Sequence, residues 1–297
     1  MVDDSCTPKL KVLVIGRDGQ LGYSLAKTAP DDIELMLVGR GECDLSKIDN
    51  LPKVLDAFAP DVVINAAAYT AVDKAESEPE LAELINSKAP RMIAGWCKDN
   101  DALMVQVSTD FVFDGSQSSP YAVDSKLSPL GLYGQTKAEG ESVLTLCDQA
   151  YVVRTSWVYS EHGNNFVKTM LRLAKDRDQL GVVADQVGSP TYAGNLAAMI
   201  WSLVLEKPES KILHYSDAGV ASWYDLAVST FHLAKQKGLI DRIPLVTPIQ
   251  TRDYPTPAKR PAYSVLDKSE TWSQLPIEPE CWQVALEKML EQLENNH

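Results

Sequence analysis

The chain has 297 residues, 45% of them hydrophobic and 23% charged, which is enough for one large or two small globular domains. Its formal net charge of -13 argues against a surface that binds nucleic acid or an anionic membrane, since both need clustered Lys and Arg. No apolar run reaches the length of a membrane helix, and the opening residues MVDDSCTPKL lack the basic and apolar regions of a signal peptide.

The cysteines and histidines favour a reduced, cytoplasmic protein without a zinc site. The five cysteines are scattered, odd in number and without a CxxC pair, at positions 6, 43, 97, 147 and 281. The four histidines lack the spacing of metal ligands, at positions 162, 214, 232 and 297. We therefore expect free thiols and no metal ligands among these residues.

Short apolar runs alternate with helical patterns along the chain. The runs predict strands at 10–16, 33–39, 61–67, 102–108, 150–156, 180–186 and 211–217. The patterns between and after them predict helices at 19–29, 47–59, 77–100, 128–147, 163–177, 192–206, 221–238 and 280–294. Ser77 and Glu80 have the spacing of a capping box at the start of the third helix.

This alternation predicts an α/β fold, a Rossmann-like doubly wound parallel sheet with a smaller C-terminal α/β substrate-binding lobe. We expect residues 1–155, with roughly 178–205, to form the dinucleotide-binding domain. Residues 156–177 and 206–297 are then expected to form the lobe that binds a nucleotide sugar, and the proline-rich segment 244–263 to close the cleft.

A glycine loop joins the first predicted strand to the first predicted helix. Gly16, Gly19 and Gly22 follow the pattern GxxGxxG in "GRDGQLG". In such a loop the first glycine makes the turn, the second lets the backbone approach a pyrophosphate, and the third packs helix on strand. A ligand-free glycine turn is the alternative, which the position of the loop makes less favoured.

The end of the second predicted strand bears on the choice of cofactor. In NAD-binding proteins an acidic residue there binds the ribose 2′-hydroxyl. This chain has Arg40 instead, and its first carboxylate is Glu42. Because an arginine can accept a 2′-phosphate, the sequence favours NADPH over NADH, with a surface arginine in a loop as the alternative.

A hydroxyl, a tyrosine and a lysine follow in the order of a carbonyl-reducing set. Thr109 and Asp110 come at the end of a buried strand, where ligands bind in open α/β sheets. Tyr133 and Lys137 lie one helical turn apart in "LYGQTKAEGE". We expect Tyr133 to protonate the alkoxide, Lys137 to lower the pKa of Tyr133 and hold the nicotinamide ribose, and Thr109 to bind the carbonyl oxygen. Taken alone, the Tyr–Lys pair fits a solvated helix and the threonine a turn or cap.

These motifs resemble those of the extended short-chain dehydrogenases, and within them the dTDP-4-dehydrorhamnose reductase family. The resemblance covers nearly the whole chain and is strongest in "AVDKAE" and in the pair "RTSWVY" and "GNNF". It implies NADPH-dependent reduction of the C4 ketone of dTDP-4-dehydro-L-rhamnose to dTDP-L-rhamnose. It also suggests a homodimer. Some members of the family hold a metal ion such as Mg²⁺ between subunits through carboxylates, which we cannot assign to residues of this sequence.

The resemblance also implies contacts for individual residues. Those expected at the cofactor, from pyrophosphate to adenosine to the middle of the molecule, are Gly19, Gln20 and Leu21, then Asp44 and Leu45, then Ala68, Tyr69 and Thr70. Those expected at the sugar nucleotide are Thr109, Asp110, Trp157, Asn164 and Asn165, with Lys259 and Arg260 near the diphosphate. Core packing is the alternative for Trp157, helix capping for the two asparagines, and a solvated loop for the two basic residues.

One departure from the family keeps two rival functions open. The family often has Tyr after "STD", where this chain has Phe111, so a different nucleotide-linked 4-ketosugar is one alternative substrate. The regulatory subunit of methionine adenosyltransferase resembles the same family and is a binding partner rather than an enzyme. The presence of Thr109, Tyr133, Lys137 and Trp157 favours the enzyme.

Overall fold

The computed structural model describes residues 9–295, so residues 1–8, which include Cys6, and His297 lie outside the described part. The strands are β1 (Leu10–Ile15), β2 (Ile33–Val38), β3 (Val62–Asn65), β4 (Leu103–Thr109), β5 (Ala150–Thr155), β6 (Val158–Tyr159), β7 (Gln179–Val183), β8 (Val187–Gly188), β9 (Thr191–Tyr192), β10 (Ile212–Tyr215), β11 (Ala221–Ser222) and β12 (Leu245–Ile249).

The helices lie between these strands and after them. They are α1 (Gln20–Lys27), α2 (Leu51–Phe58), α3 (Val72–Ala75), α4 (Pro79–Glu83), α5 (Ala89–Asp99), α6 (Leu132–Gly140), α7 (Val143–Leu146), α8 (Phe166–Asp176), α9 (Ala193–Glu206), α10 (Trp223–Gln236), α11 (Ser269–Gln274) and α12 (Trp282–Glu294). Short 3₁₀ turns occur at Ile48–Asn50, Asp110–Val112 and Thr251–Asp253.

Six parallel strands form the central sheet in the order β10-β5-β4-β3-β1-β2. Side chains of one strand alternate between its two faces: Val12 and Val14 pack in one apolar cluster, Leu13 and Ile15 in another. The first cluster includes residues of α1 and α9, the second residues of α2 and α5. Helices therefore cover both faces, which confirms the predicted doubly wound sheet.

The order of the strands reverses between β1 and β3. From β1 the chain moves outward to β2, and then returns to β3 on the other side of β1. The helices that follow β1 and β3 leave the sheet in opposite directions, so a crevice opens at the carboxyl ends of these strands. The glycine loop and the Thr109 end of β4 both lie at this edge.

Two strands lie in a different part of the fold from the one expected from the sequence. β7 pairs with β12 outside the central sheet, whereas β10 pairs with β5 as an edge strand of the central sheet. Burial explains the exchange, because three of the four residues of β10 are buried and most of β7 is not. The small pairs β6–β9 and β8–β11 complete the C-terminal part. The exact domain boundaries stay a prediction.

The long helix predicted at 77–100 is interrupted. The chain forms α4, a π-helical turn at Leu84–Lys88 and then α5. A proline at position 90 lacks an N–H and would crowd the carbonyl four residues earlier in a regular helix, which the wider turn relieves. The predicted capping box is wrong, since α4 begins after Glu78 and the Ser77 hydroxyl instead donates to the carbonyl oxygen of Lys74 at 3.0 Å.

Among residues 9–295, no helix combines the length and the apolar character needed to cross a membrane. The described cysteines, at 43, 97, 147 and 281, are all free thiols. No group of three or more His, Cys, Asp or Glu side chains in this part of the chain is arranged to hold a metal ion.

A buried ion pair joins α6 to the central sheet. Arg154 of β5 donates from Nε and Nη2 to the two carboxylate oxygens of Glu141, at 2.9 and 2.7 Å. The Ser108 hydroxyl donates to Glu141 Oε1 at 2.6 Å. Because the carboxylate accepts three hydrogen bonds, much of the cost of burying its charge is offset.

We predict that Arg154→Leu lowers the free energy of unfolding by about 3–5 kcal/mol, since it leaves the Glu141 carboxylate buried with one hydroxyl donor. Arg242→Leu is the matched control, because Arg242 pairs with Asp178 where both side chains are more than half exposed. Its loss is expected to stay below about 1 kcal/mol. Urea unfolding measures both, and equal losses would contradict the assignment.

Candidate active site

A cavity of about 770 Å³ lies along the carboxyl edge of the central sheet. The residues that line it come from the glycine loop, the ends of β2 to β5, the start of α6 and the C-terminal part. It is lined by these residues of the predicted site: Gly16, Gly19, Gln20, Leu21, Arg40, Asp44, Leu45, Ala68, Thr70, Thr109, Asp110, Tyr133, Lys137, Trp157 and Asn164.

Four of the residues expected at the site do not line this cavity: Gly22, Tyr69, Asn165 and Lys259. Gly22 lies inside α1, the Tyr69 hydroxyl donates to Glu78 at 2.6 Å, and Asn165 caps α8. Asn165 Oδ1 accepts from the backbone N–H of Lys168, while its Nδ2 donates to Gln20 at 2.9 Å. Asn165 therefore serves as a helix cap, which was the alternative to a contact with the sugar nucleotide.

At the glycine loop, the backbone packs so closely that a side chain on Gly16 or Gly22 would collide with it. Gly16 has a φ of 105°, and a Cβ there would lie 2.8 Å from the backbone nitrogen of Ala67. A Cβ on Gly22 would lie 2.1 Å from the carbonyl oxygen of Gly16. Gly19 precedes α1 and offers no side-chain cap, so the free N–H groups of the first turn remain available to an anion. The loop thus has the geometry of a phosphate cradle.

Charged side chains lie at the end of the cavity that is next to the carboxyl end of β2. Arg40 lines it with its side chain 77% exposed, and its Nε lies 3.5 Å from Asp44. Glu42 does not line the cavity: it accepts from both terminal nitrogens of Arg17, at 3.0 and 3.2 Å. The Gly39 N–H also donates to Glu42. The first carboxylate after β2 is therefore held by Arg17, and Arg40 is left beside the cavity.

Lys137 is buried at the opposite end, beside β4. Its Nζ donates to the carbonyl oxygen of Val107 at 2.6 Å. Burial lowers the pKa of Lys137 to about 8, and the charge of Glu141 opposes that shift. The ammonium is therefore fixed to the backbone of the strand that ends in Thr109.

The pKa of Tyr133 is raised, whereas the sequence led us to expect that it is lowered. Burial raises the pKa of Tyr133 to about 12, and the charge of Asp110 adds to the rise. A hydrogen bond with Thr109 lowers it by less. We expected Lys137 to lower this pKa, but in the structure desolvation outweighs any stabilisation of the phenolate. The phenol therefore keeps its proton at neutral pH.

Asp110 is a buried carboxyl group beside this set. Burial raises the pKa of Asp110 to about 6, while hydrogen bonds from Ser264 and Thr109 lower it by less. The Thr109 hydroxyl donates to Oδ1 at 3.0 Å. Oδ2 lacks a geometrically complete hydrogen bond within residues 9–295. Asp110 lines the cavity, and a buried carboxylate without its full set of partners is suited to a hydroxyl group of a ligand.

The chain matches the family model described as "RmlD substrate binding domain" over residues 10–295. It is 43% identical to the dTDP-4-dehydrorhamnose reductase of Aggregatibacter actinomycetemcomitans, over 94% of this chain and 98% of that protein. It is 38% identical to the dTDP-4-dehydrorhamnose reductase of Escherichia coli K12, over 96% of this chain and 98% of that protein. The chain belongs to the RmlD family.

The solved structures agree with the sequence relatives. The crystal structure of dTDP-4-dehydrorhamnose reductase from Bacillus anthracis in complex with NADP superposes with a TM-score of 0.90 at 34% identity. The match covers 96% of this chain and 99% of that one. The family and the fold implied by the motifs are therefore confirmed.

The structure adds a site residue that sequence reasoning missed, and it places the two basic residues expected near the diphosphate. Trp223 lines the cavity and stacks on Trp157, with ring centroids 3.6 Å apart. Position 223 begins an ordinary amphipathic helix in the sequence, so only the tertiary contact reveals it. Arg260 also lines the cavity but pairs with Asp73 at 2.9 Å, so its charge is partly neutralised. Lys259 is exposed and does not line the cavity.

Substitutions of the two neighbouring asparagines are expected to change the free energy of unfolding by different amounts. Asn165→Ala removes the cap of α8 and two hydrogen bonds from Nδ2, so we predict a loss of about 1–2 kcal/mol in the free energy of unfolding. Asn164→Ala, at an exposed position in the cavity wall, is expected to change it by less than about 0.5 kcal/mol. Urea midpoints distinguish the two, and a larger loss for Asn164→Ala would reverse the assignment.

Proposed function

We propose that the chain catalyses NADPH-dependent reduction of the C4 ketone of dTDP-4-dehydro-L-rhamnose to dTDP-L-rhamnose. The observation that carries the proposal is the gathering of Thr109, Tyr133 and Lys137 in the wall of a cavity that begins at the glycine loop. The named relatives, 43% and 38% identical over nearly their whole length, are reductases of this type.

The residues present fit a dinucleotide with a 2′-phosphate. The pyrophosphate is expected at Gly19, Gln20 and Leu21, where the first turn of α1 has free N–H groups. Arg40 is expected to bind the 2′-phosphate, since Glu42 is already held by Arg17 and does not line the cavity. NADP is bound in the Bacillus anthracis relative. NADH stays the alternative cofactor.

The adenosine and the middle of the cofactor follow the same wall. Asp44 and Leu45 are expected beside the adenosine, and Ala68 and Thr70 beside the central part of the molecule. Tyr69 contributes its backbone at most, because its hydroxyl is bound to Glu78. The bound cofactor supplies a hydride to the carbonyl carbon.

The protein's part in the reaction is proton delivery and charge stabilisation. Tyr133 is the expected proton donor to the carbonyl oxygen, and its raised pKa keeps it protonated until a stronger base forms there. The Thr109 hydroxyl hydrogen-bonds the same oxygen. Lys137 supplies a fixed positive charge close to the phenol and is also expected to hold the nicotinamide ribose.

The remaining cavity residues are expected to hold the sugar nucleotide. Asp110 is expected to accept a hydrogen bond from a sugar hydroxyl. Trp157 offers a flat apolar surface to the deoxysugar, and Asn164 an exposed amide. Arg260 is expected near the diphosphate, with its charge shared with Asp73.

Phe111 supports a second candidate, the reduction of another nucleotide-linked 4-ketosugar. It lines the cavity and meets the ring of Tyr133 edge to face, with centroids 5.5 Å apart. Lacking a hydroxyl, it helps to bury the phenol but offers no hydrogen bond to the sugar. A homodimer and a cytoplasmic location stay predictions, the latter resting on the scattered thiols.

Tyr133→Phe tests the proton donor. We predict that turnover falls by about 10²–10⁴-fold, because no other group delivers the proton as directly. NADPH oxidation is followed with the dTDP-4-ketosugar formed in situ by the preceding epimerase, and NADPH affinity is measured by fluorescence titration as the control. Unchanged turnover would refute the role of Tyr133, and a wild-type protein that binds NADPH without turnover would favour the regulatory alternative.

Asp110→Asn tests the sugar contact through pH. Asp110 loses its proton as pH rises through about 6, and the carboxylate is the stronger acceptor for a sugar hydroxyl. We therefore predict that wild-type kcat/KM rises through about pH 6 and that this rise is absent in Asp110→Asn. The unfolding midpoint of the variant controls for folding. The same rise in both proteins would assign the titration to another group.

A further inference from the structure

Two tryptophans form a stacked pair in the cavity wall. The rings of Trp157 and Trp223 are 3.6 Å apart at their centroids and 7° from parallel. Both line the cavity, and both are partly exposed. Trp157 follows the end of β5 in the central sheet, whereas Trp223 begins α10 in the C-terminal part. The pair therefore joins the two parts of the chain at the cavity.

The backbone of Trp157 is strained. Its φ of 48° lies in the left-handed region, which a bulky residue rarely adopts. Its carbonyl oxygen accepts the N–H of Thr191 at 3.2 Å. The indole also lies close to Gly188, where a Cβ would be 2.6 Å from Trp157 Cε2. The surroundings thus hold the indole in an unfavourable backbone conformation.

Trp223 is anchored independently of Trp157. Its Nε1 donates to Gln186 Oε1 at 3.1 Å, and Gln186 in turn donates to Thr251. Its backbone lies within the capping box formed by Ser222 and Asp225, and its ring packs on Phe166. An indole held by a hydrogen bond, a helix cap and a second ring has little freedom to rotate. It can therefore act as a rigid support for its neighbour.

We propose that Trp223 is a positioning residue for nucleotide-sugar binding, which holds the Trp157 indole as a fixed wall of the sugar subsite. The proposal rests on the proposed function, in which the sugar lies against Trp157. With the support in place, the flat ring is preorganised and the sugar does not have to order it on binding. Trp223 then contributes to the affinity for the sugar nucleotide and not to the chemical step.

The test compares Trp223→Leu, Trp223→Phe and the control Trp96→Phe. Trp96 lies on α5, donates to Asp56 at 2.7 Å and does not line the cavity. Loss of the stack in Trp223→Leu is expected to raise KM for the sugar nucleotide about tenfold, with kcat and NADPH affinity unchanged. Trp223→Phe restores a flat ring and is expected to recover most of that loss. Trp96→Phe behaves as the wild type.

Circular dichroism shows whether the pair itself has been broken. Two indoles stacked this closely give a far-ultraviolet exciton couplet, which we expect to be lost in both Trp223 variants and kept in Trp96→Phe. Gly188→Ala places a methyl group against the Trp157 indole and leaves the side chain at position 223 a tryptophan. It is expected to weaken the couplet and to raise the same KM.

A normal KM in Trp223→Leu, with the couplet lost, would overturn the positioning role. So would a fall in kcat without a change in KM. Calorimetric titration with dTDP-L-rhamnose measures the same affinities without turnover. If the wild-type protein binds this ligand but does not oxidise NADPH, the proposed reaction is refuted. The affinities of the Trp223 variants for the ligand still test the positioning role in that case. Absence of binding by the wild type would overturn both.

Discussion

The buried pair between Glu141 and Arg154 fixes the helix that carries the tyrosine and the lysine. Lys137 and Glu141 are one turn apart on the same face of the chain at α6. The first binds the Val107 carbonyl and the second the Ser108 hydroxyl, which are successive residues at the end of β4. This double attachment sets where Tyr133 lies relative to Thr109. A shift of α6 along the sheet would break two buried polar contacts, each costly to leave unmade.

A second set of contacts fixes the glycine loop to the part of the chain that follows β5. The Gln20 side chain donates to the Val158 carbonyl at 3.3 Å and accepts from Asn165 at 2.9 Å. His162 stacks on Tyr23, with centroids 4.4 Å apart. The loop that is expected to hold the pyrophosphate is therefore continuous with the segment that carries Trp157 and Asn164. Both sites are built on one connected framework, so neither depends on a loop alone.

Local patterns of the sequence predicted much of this arrangement, and tertiary contacts account for what they missed. The glycine spacing identified the loop because steric limits on Gly16 and Gly22 act over a few residues. The Tyr–Lys spacing likewise follows from helix geometry. The sheet to which β10 belongs depends instead on its pairing with β5, some 60 residues earlier, and no local pattern encodes that. Trp223 became a site residue only because it meets Trp157 across the fold. The sequence left both a ligand contact and a helix cap open for Asn165, because the two call for the same kind of side chain, and the structure shows the cap.

Burial gives Tyr133 and Lys137 different tasks. It raises the pKa of Tyr133 to about 12 and lowers that of Lys137 to about 8, since each shift favours the neutral form. A phenol that resists ionisation is a poor base for oxidising an alcohol but stays loaded as a proton donor. The alkoxide formed from a ketone is more basic than a phenolate, so it takes the proton even from this tyrosine. Lys137, one helical turn from Tyr133, then offers a positive charge to the phenolate. The environment of Tyr133 therefore keeps it in the protonated form that the proposed reduction needs.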